Sequence, residues 1–246
     1  MAKSGACPAA NFIARYLKHT RSLAVSFLFI LPLLVAYEVG MFILQPPAAS
    51  WAGDAIRWLL HGAFGRWGGL AFNLGVIIAI VASLLATRRS LGAQLDFFPA
   101  VLVESLAYGI VVMQVVPLVV HYALPLAQVA ADGPGGVMDD VVLSLGAGIY
   151  EEIVFRLGLM SAVYFVVTRL TKEHWLAVAA AIMVSSVVFS GCHYLNGIVM
   201  PASEFIRSFG YRTLCGIFFA GLYIYRGLAV ACYAHAFYDI MVTVFP

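Results

Sequence analysis

Glu151 and Glu152 stand side by side in an otherwise apolar run, with Arg156 one turn further on, and two histidine stripes follow at Phe189 to His193 and His235 to Asp239. A charged side chain near the centre of a bilayer costs roughly 2.5 to 3.5 kcal/mol on insertion scales, so ionisable groups inside apolar helices mark functional sites. On a helix, residues four apart share a face. Glu152 and Arg156 can therefore neutralise one another, which leaves Glu151, about 100° round the same turn, as the unpaired carboxylate. An anion with a cation and a histidine beside it is the equipment for activating a water molecule. Gly148, one turn before both glutamates, leaves the helix surface bare, so backbone or substrate can approach closely. Two histidines with two or three carboxylates are also a plausible Zn²⁺ or Fe²⁺ ligand set. Against that, no HExxH pair is present, and Arg156 beside Glu152 opposes a bound cation.

The elements that position these groups are membrane helices. Of 246 residues, 63% are apolar and 11% are charged, against about 25% charged in soluble domains. The apolar residues fall in long blocks, and a spanning helix needs about 20 of them. The expected fold is all-α, a polytopic transmembrane bundle of about seven spans. The blocks run from Leu23 to Leu44, Gly68 to Ala86, Phe98 to Leu124, Val137 to Val167, His174 to Ser190, Phe205 to Tyr225 and Leu228 to Phe245. Only Arg226 and Gly227 join the last two, which makes them antiparallel neighbours. Trp51, Trp58 and Trp67 among Asp54, Arg57 and Arg66 read as an interfacial helix near 50–67, since indole rings favour the headgroup level. The chain thus divides into a cytoplasmic N-terminal segment 1–22, an N-terminal group of spans 23–136 and a catalytic core 137–246.

Basic residues set the orientation. With the N-terminus inside, Lys3, Arg15, Lys18, Arg21, Arg88, Arg89, Arg169, Lys172 and Arg226 are cytoplasmic, and Arg57, Arg66 and Arg207 lie outside. Topology accounts for the net charge of +2 with no nucleic-acid partner. The basic start of the first span resembles a signal peptide, but no small-residue cleavage site precedes Gln45-Pro46-Pro47, so the span reads as a retained anchor. Cys7, Cys192, Cys215 and Cys232 lack CxxC spacing and read as apolar fillers.

Three motifs in this order resemble a known family. Glu151-Glu152-Ile153-Val154-Phe155-Arg156 is similar to its EExxxR motif, Phe189 to His193 to FxxxH, and His235 to Asp239 to HxxxN/D. The family is CPBP, the intramembrane glutamic endopeptidases that include Rce1-type CAAX prenyl proteases and bacteriocin-immunity (Abi) proteins. Gly221, Tyr225 and Arg226-Gly227-Leu228 also resemble its usual approach to the last motif. The resemblance covers Val137 to Phe245, while the first three spans match only in hydropathy. It implies a protease that uses no metal or other cofactor. By that resemblance Glu151 and His193 hold and deprotonate the attacking water, and His235 and Asp239 line the oxyanion side. Glu152 and Arg156 then give electrostatic support, and Phe189 packs behind His193. One position departs from the prenyl-protein proteases, which carry an amide where this chain has Asp239. A carboxylate anion cannot donate a hydrogen bond.

Two other readings remain open from the residues: the metal-dependent protease, and a transporter or binding protein whose polar groups form a relay. The resemblance allows several membrane-associated peptide or protein substrates, namely lipidated CAAX-type peptides, bacteriocin-like peptides or C-terminal anchors of exported proteins. So compact a chain points to a bacterial cell membrane with the N-terminus in the cytoplasm. In that orientation His193 lies near the outer end of its span, which favours cleavage from the outer side. Glu38 and Glu104 are expected to make interhelical hydrogen bonds, Arg212 to pair with Asp239 or Glu104, and Asp139 and Asp140 to suit a helix N-terminus.

Overall fold

The computed structural model describes residues 8–44, 95–123, 136–195 and 200–244, with a few positions between 74 and 85. The expected interfacial helix near 50–67 and most of the span at Gly68 to Ala86 lie outside the described residues. Those described are helical throughout, with no strand among them. The helices are α1 (Pro8–Thr20), α2 (Leu23–Leu44), α3 (Phe98–Ala123), α4 (Val137–Glu151), a π-helical segment (Glu152–Met160), α5 (Ser161–Thr171), α6 (His174–Cys192), α7 (Ala202–Arg226) and α8 (Leu228–Val244).

Among the described residues, four helical stretches are long and apolar enough to cross a membrane: Leu23–Leu44, Phe98–Tyr122, Val137–Thr171 and His174–Cys192. The third is 35 residues long, about 50 Å at 1.5 Å per residue and well beyond a hydrocarbon core of about 30 Å. A stretch of that length can span a bilayer only with tilt, a break or an overhang. It is not a regular α-helix throughout, because the turn carrying Glu152 and Arg156 is π-helical. Such turns are rare and concentrate at functional sites.

α8 is the axis of the bundle. It packs against α2, α3, α4 and α7, and every residue from Leu228 to Ala236 is buried. A helix apolar all round needs neighbours on all sides, which is why 17 residues suffice here. α7 reaches α8 through Gly227 alone, at φ +92°, a backbone region L side chains rarely adopt. A Cβ there would also lie 2.6 Å from the Thr20 carbonyl oxygen.

Local bonds fix the other elements. The Asp139 carboxylate accepts the Gly136 N–H at 3.2 Å at the start of α4, where negative charge suits the helix dipole. Pro32 interrupts the hydrogen-bond ladder of α2, and nearby the Tyr233 hydroxyl of α8 donates to the Phe29 carbonyl at 3.0 Å. Tyr150 donates to Glu38 at 3.1 Å, the interhelical role expected of that glutamate.

Two features add to the expectations. Segment 1–22 contains a helix, α1, which buries Tyr16 and Thr20 while exposing Phe12, Ile13 and Leu17 beside Arg15 and Lys18. That profile belongs to a helix lying at a membrane surface. Arg226, read as a basic connector, is buried at 6% exposure. It grips Glu104 with Nε at 2.5 Å and Nη2 at 2.7 Å, and Tyr16 donates to the same carboxylate. Burial, then Glu104, holds the Tyr16 phenol well above its usual range. Removing one partner of a buried pair strands the other charge, at about 3 kcal/mol or more. Glu104→Ala is therefore expected to lower the thermal unfolding midpoint in detergent sharply, and Arg226→Met to recover part of the loss in the double variant.

Candidate active site

The end of α4 and the π turn after it carry the acidic half of the site. Glu151 is 4% exposed, and Glu152 and Arg156 are fully buried. Arg156 Nε lies 3.2 Å from Glu152 Oε2, so the expected pair forms. Neither atom has an aligned hydrogen-bond partner among the described residues, so the contact is an ion pair without an aligned hydrogen bond. The wider π turn offsets residues four apart. Arg156 is also held by the Gly216 carbonyl, at 3.4 Å from Nη2, and by the Phe189 ring, 4.8 Å below its guanidinium carbon.

α8 brings His235 against this pair. Its Nδ1 lies 2.8 Å from Glu152 Oε1. A carboxylate only accepts, so the proton is on Nδ1 and the chain Arg156, Glu152, His235 fixes the ring. Nε2 then faces Glu151 Oε2 at 3.6 Å and Asp239 Oδ2 at 3.5 Å. Phe219 of α7 stacks on the imidazole, with centroids 4.5 Å apart and planes 13° from parallel. That partner was not anticipated, because an aromatic in an apolar helix carries no polar signal in the sequence.

His193 sits just beyond the last turn of α6, and its Nδ1 lies 2.9 Å from the Phe189 carbonyl. Since the carbonyl accepts, Nδ1 carries the proton and Nε2 is the acceptor nitrogen. Phe189 does more than back this ring. Its centroid lies 4.9 Å from that of His193 and 6.1 Å from that of His235, and Phe155 closes its other side at 5.3 Å. The structure thus gathers Glu151, Glu152, Arg156, His235 and Asp239 directly, with Phe189 linking His193 to them.

Gly148 is buried, and what approaches it is backbone. A Cβ there would lie 2.6 Å from the Cys232 carbonyl oxygen and 2.8 Å from the Ala236 nitrogen. Arg212 departs from expectation. Glu104 is taken by Arg226, and no ion pair joins Arg212 to Asp239 among the described residues. Its Nη1 donates instead to the Tyr194 hydroxyl at 3.1 Å and to Ser208.

Comparison with known families gives an independent finding. Residues 134–241 match the family model described as Rce1-like, type II CAAX prenyl endopeptidase, and that segment holds every site residue named above. No curated protein and no solved structure gives a match.

Proposed function

We propose that the chain, whose residues 134–241 match the Rce1-like model of type II CAAX prenyl endopeptidases, is an intramembrane endopeptidase of that kind in which Glu151 activates water. The observation that carries this reading is His235. One ring nitrogen is bound to the Glu152–Arg156 pair, and the other is turned toward Glu151 and Asp239. Of the two glutamates, that leaves Glu151 as the one not paired with Arg156, in a site enclosed enough to strengthen electrostatic interactions.

In the proposed reaction, Glu151 takes a proton from water held with the acceptor nitrogen of His193. The resulting hydroxide bonds to the carbonyl carbon of the scissile peptide, and the carbonyl π pair moves to oxygen. A protonated His235 donates from Nε2 toward that oxyanion while Nδ1 stays on Glu152. Asp239 orients the ring. When the tetrahedral intermediate collapses, the C–N bond breaks and the proton on Glu151 passes to the leaving nitrogen.

The substrate is a membrane-associated or lipid-modified peptide or protein. The outer-side position of His193 in the N-in orientation favours C-terminal anchors of exported proteins over cytoplasmic prenyl proteins. Membranes from cells with and without the chain, compared by mapping new peptide N-termini, test the function without assuming a substrate class. Termini that depend on the chain are expected, and their absence would refute proteolysis. A reporter fused to the C-terminus tests the side, since activity in the cytoplasm would overturn the orientation. Arg156 already supplies the buried cation, so cleavage is expected to persist at full rate after exhaustive treatment with a strong chelator. Loss of activity restored by Zn²⁺ would establish a metal enzyme instead.

A further inference from the structure

The site as built is short of positive charge and of donors. Three carboxylates, Glu151, Glu152 and Asp239, face two cationic groups, Arg156 and His235. An oxyanion formed during peptide hydrolysis would add one more negative charge in a low-dielectric setting. Asp239 is the most open of the three carboxylates, 26% exposed against 5% and 0% for the glutamates. As a carboxylate it has no proton to offer.

Arg212 is placed to make up the deficit. It belongs to none of the three motifs, and it lies on α7, which packs against both α6 and α8. The Tyr211 and Tyr238 hydroxyls bond at 2.6 Å, which pins the α7 turn of Arg212 to the α8 turn of Asp239. Ser190 donates to the Phe209 carbonyl at 2.8 Å, which ties the same part of α7 to the end of α6 that carries His193. Among the described residues, the hydrogen bonds of the guanidinium, to Tyr194 and to Ser208, leave from Nη1. Its carbon lies 5.6 Å from the centre of the Tyr194 ring. Among the described residues the group is thus held by one edge, between Tyr194, next in chain to His193, and the Tyr211–Tyr238 tie beside Asp239.

We infer that Arg212 is a further catalytic residue: resting on the proteolytic reading above, its guanidinium gives the oxyanion side of the site the hydrogen-bond donor that Asp239 cannot. Tyr194 and Ser208 aim it, and Asp239 balances its charge between turnovers. Cation and carboxylate together do what a single amide at position 239 would do.

The test uses isolated membranes, with their own proteins as the probe. It follows the rate at which termini made by the wild type, and missing with Glu151→Gln, appear with Arg212→Gln, Asp239→Asn and the double variant. Arg212→Gln is expected to slow their appearance by about 10²-fold, the usual cost of one oxyanion donor. Asp239→Asn restores a donor, so the double variant should run at least about tenfold faster than Arg212→Gln alone. That suppression separates a lost donor from a damaged fold, which an amide at position 239 could not repair. Arg212→Gln within a few-fold of wild type, or a double variant no faster than Arg212→Gln, would reduce Arg212 to a structural tie. If no termini depend on Glu151 at all, proteolysis itself fails and this inference falls with it. Glu151-dependent cleavage that ignores Arg212 removes this inference alone.

Discussion

Glu151→Gln is expected to slow cleavage by about 10³-fold, the middle of the range for a lost general base, with expression and unfolding midpoint close to wild type. The amide keeps the shape of the side chain, Arg156 is paired with Glu152, and His235 keeps Glu152 and Asp239 as carboxylate partners. Glu152→Gln is expected to fail differently. It leaves the fully buried Arg156 without its counter-ion and weakens the acceptor that fixes His235, so stability falls by about 3 kcal/mol along with activity. Measuring rate and unfolding midpoint for both variants separates the roles. Equal destabilisation by the two would show that the glutamates act as one structural unit, with no free base between them.

Much of this site is legible in the sequence because charge in an apolar helix is costly and therefore sparse. Glu152 and Arg156 at a spacing of four announce their own pairing, and the Gly227 turn announces that α7 and α8 are neighbours. Less legible is anything that depends on which helices touch. Arg226 sits beside a turn glycine and reads as a topological charge, yet α3 brings Glu104 to it across 122 positions of chain. Tyr16 falls in the cytoplasmic N-terminal segment of the sequence, and only the bundle shows it bonded to the same carboxylate. Phe219 is one aromatic among many until His235 is laid over it. The π turn escapes a reading by period altogether, because one added residue in a turn leaves composition and hydropathy unchanged.

Gly148 shows how tightly the site depends on packing away from the chemistry. α4 and α8 meet where this glycine faces the α8 backbone, one turn before Glu151 and Glu152 on one side and at the turn leading to His235 on the other. A methyl group at Gly148 would fall 2.6 Å from the Cys232 carbonyl oxygen and 2.8 Å from the Ala236 nitrogen. Backbone cannot step aside as a side-chain tip can, so Gly148→Ala must push the two helices apart. The 2.8 Å bond between Glu152 and His235 spans that seam, and a misplacement of about 1 Å at a reacting centre can cost about 10²-fold. Overpacking of this kind also costs about 1 to 3 kcal/mol. Gly148→Ala is therefore expected to lose at least about 10²-fold in cleavage rate, with a lower unfolding midpoint. Gly221→Ala supplies the control, since nothing lies within 4 Å of a Cβ built there and alanine is the better helix former by about 0.5 to 1 kcal/mol. It should keep full activity and unfold at the same temperature or slightly higher. If Gly148→Ala behaved like Gly221→Ala, the close approach of α4 to α8 would not be what holds His235 against the glutamates.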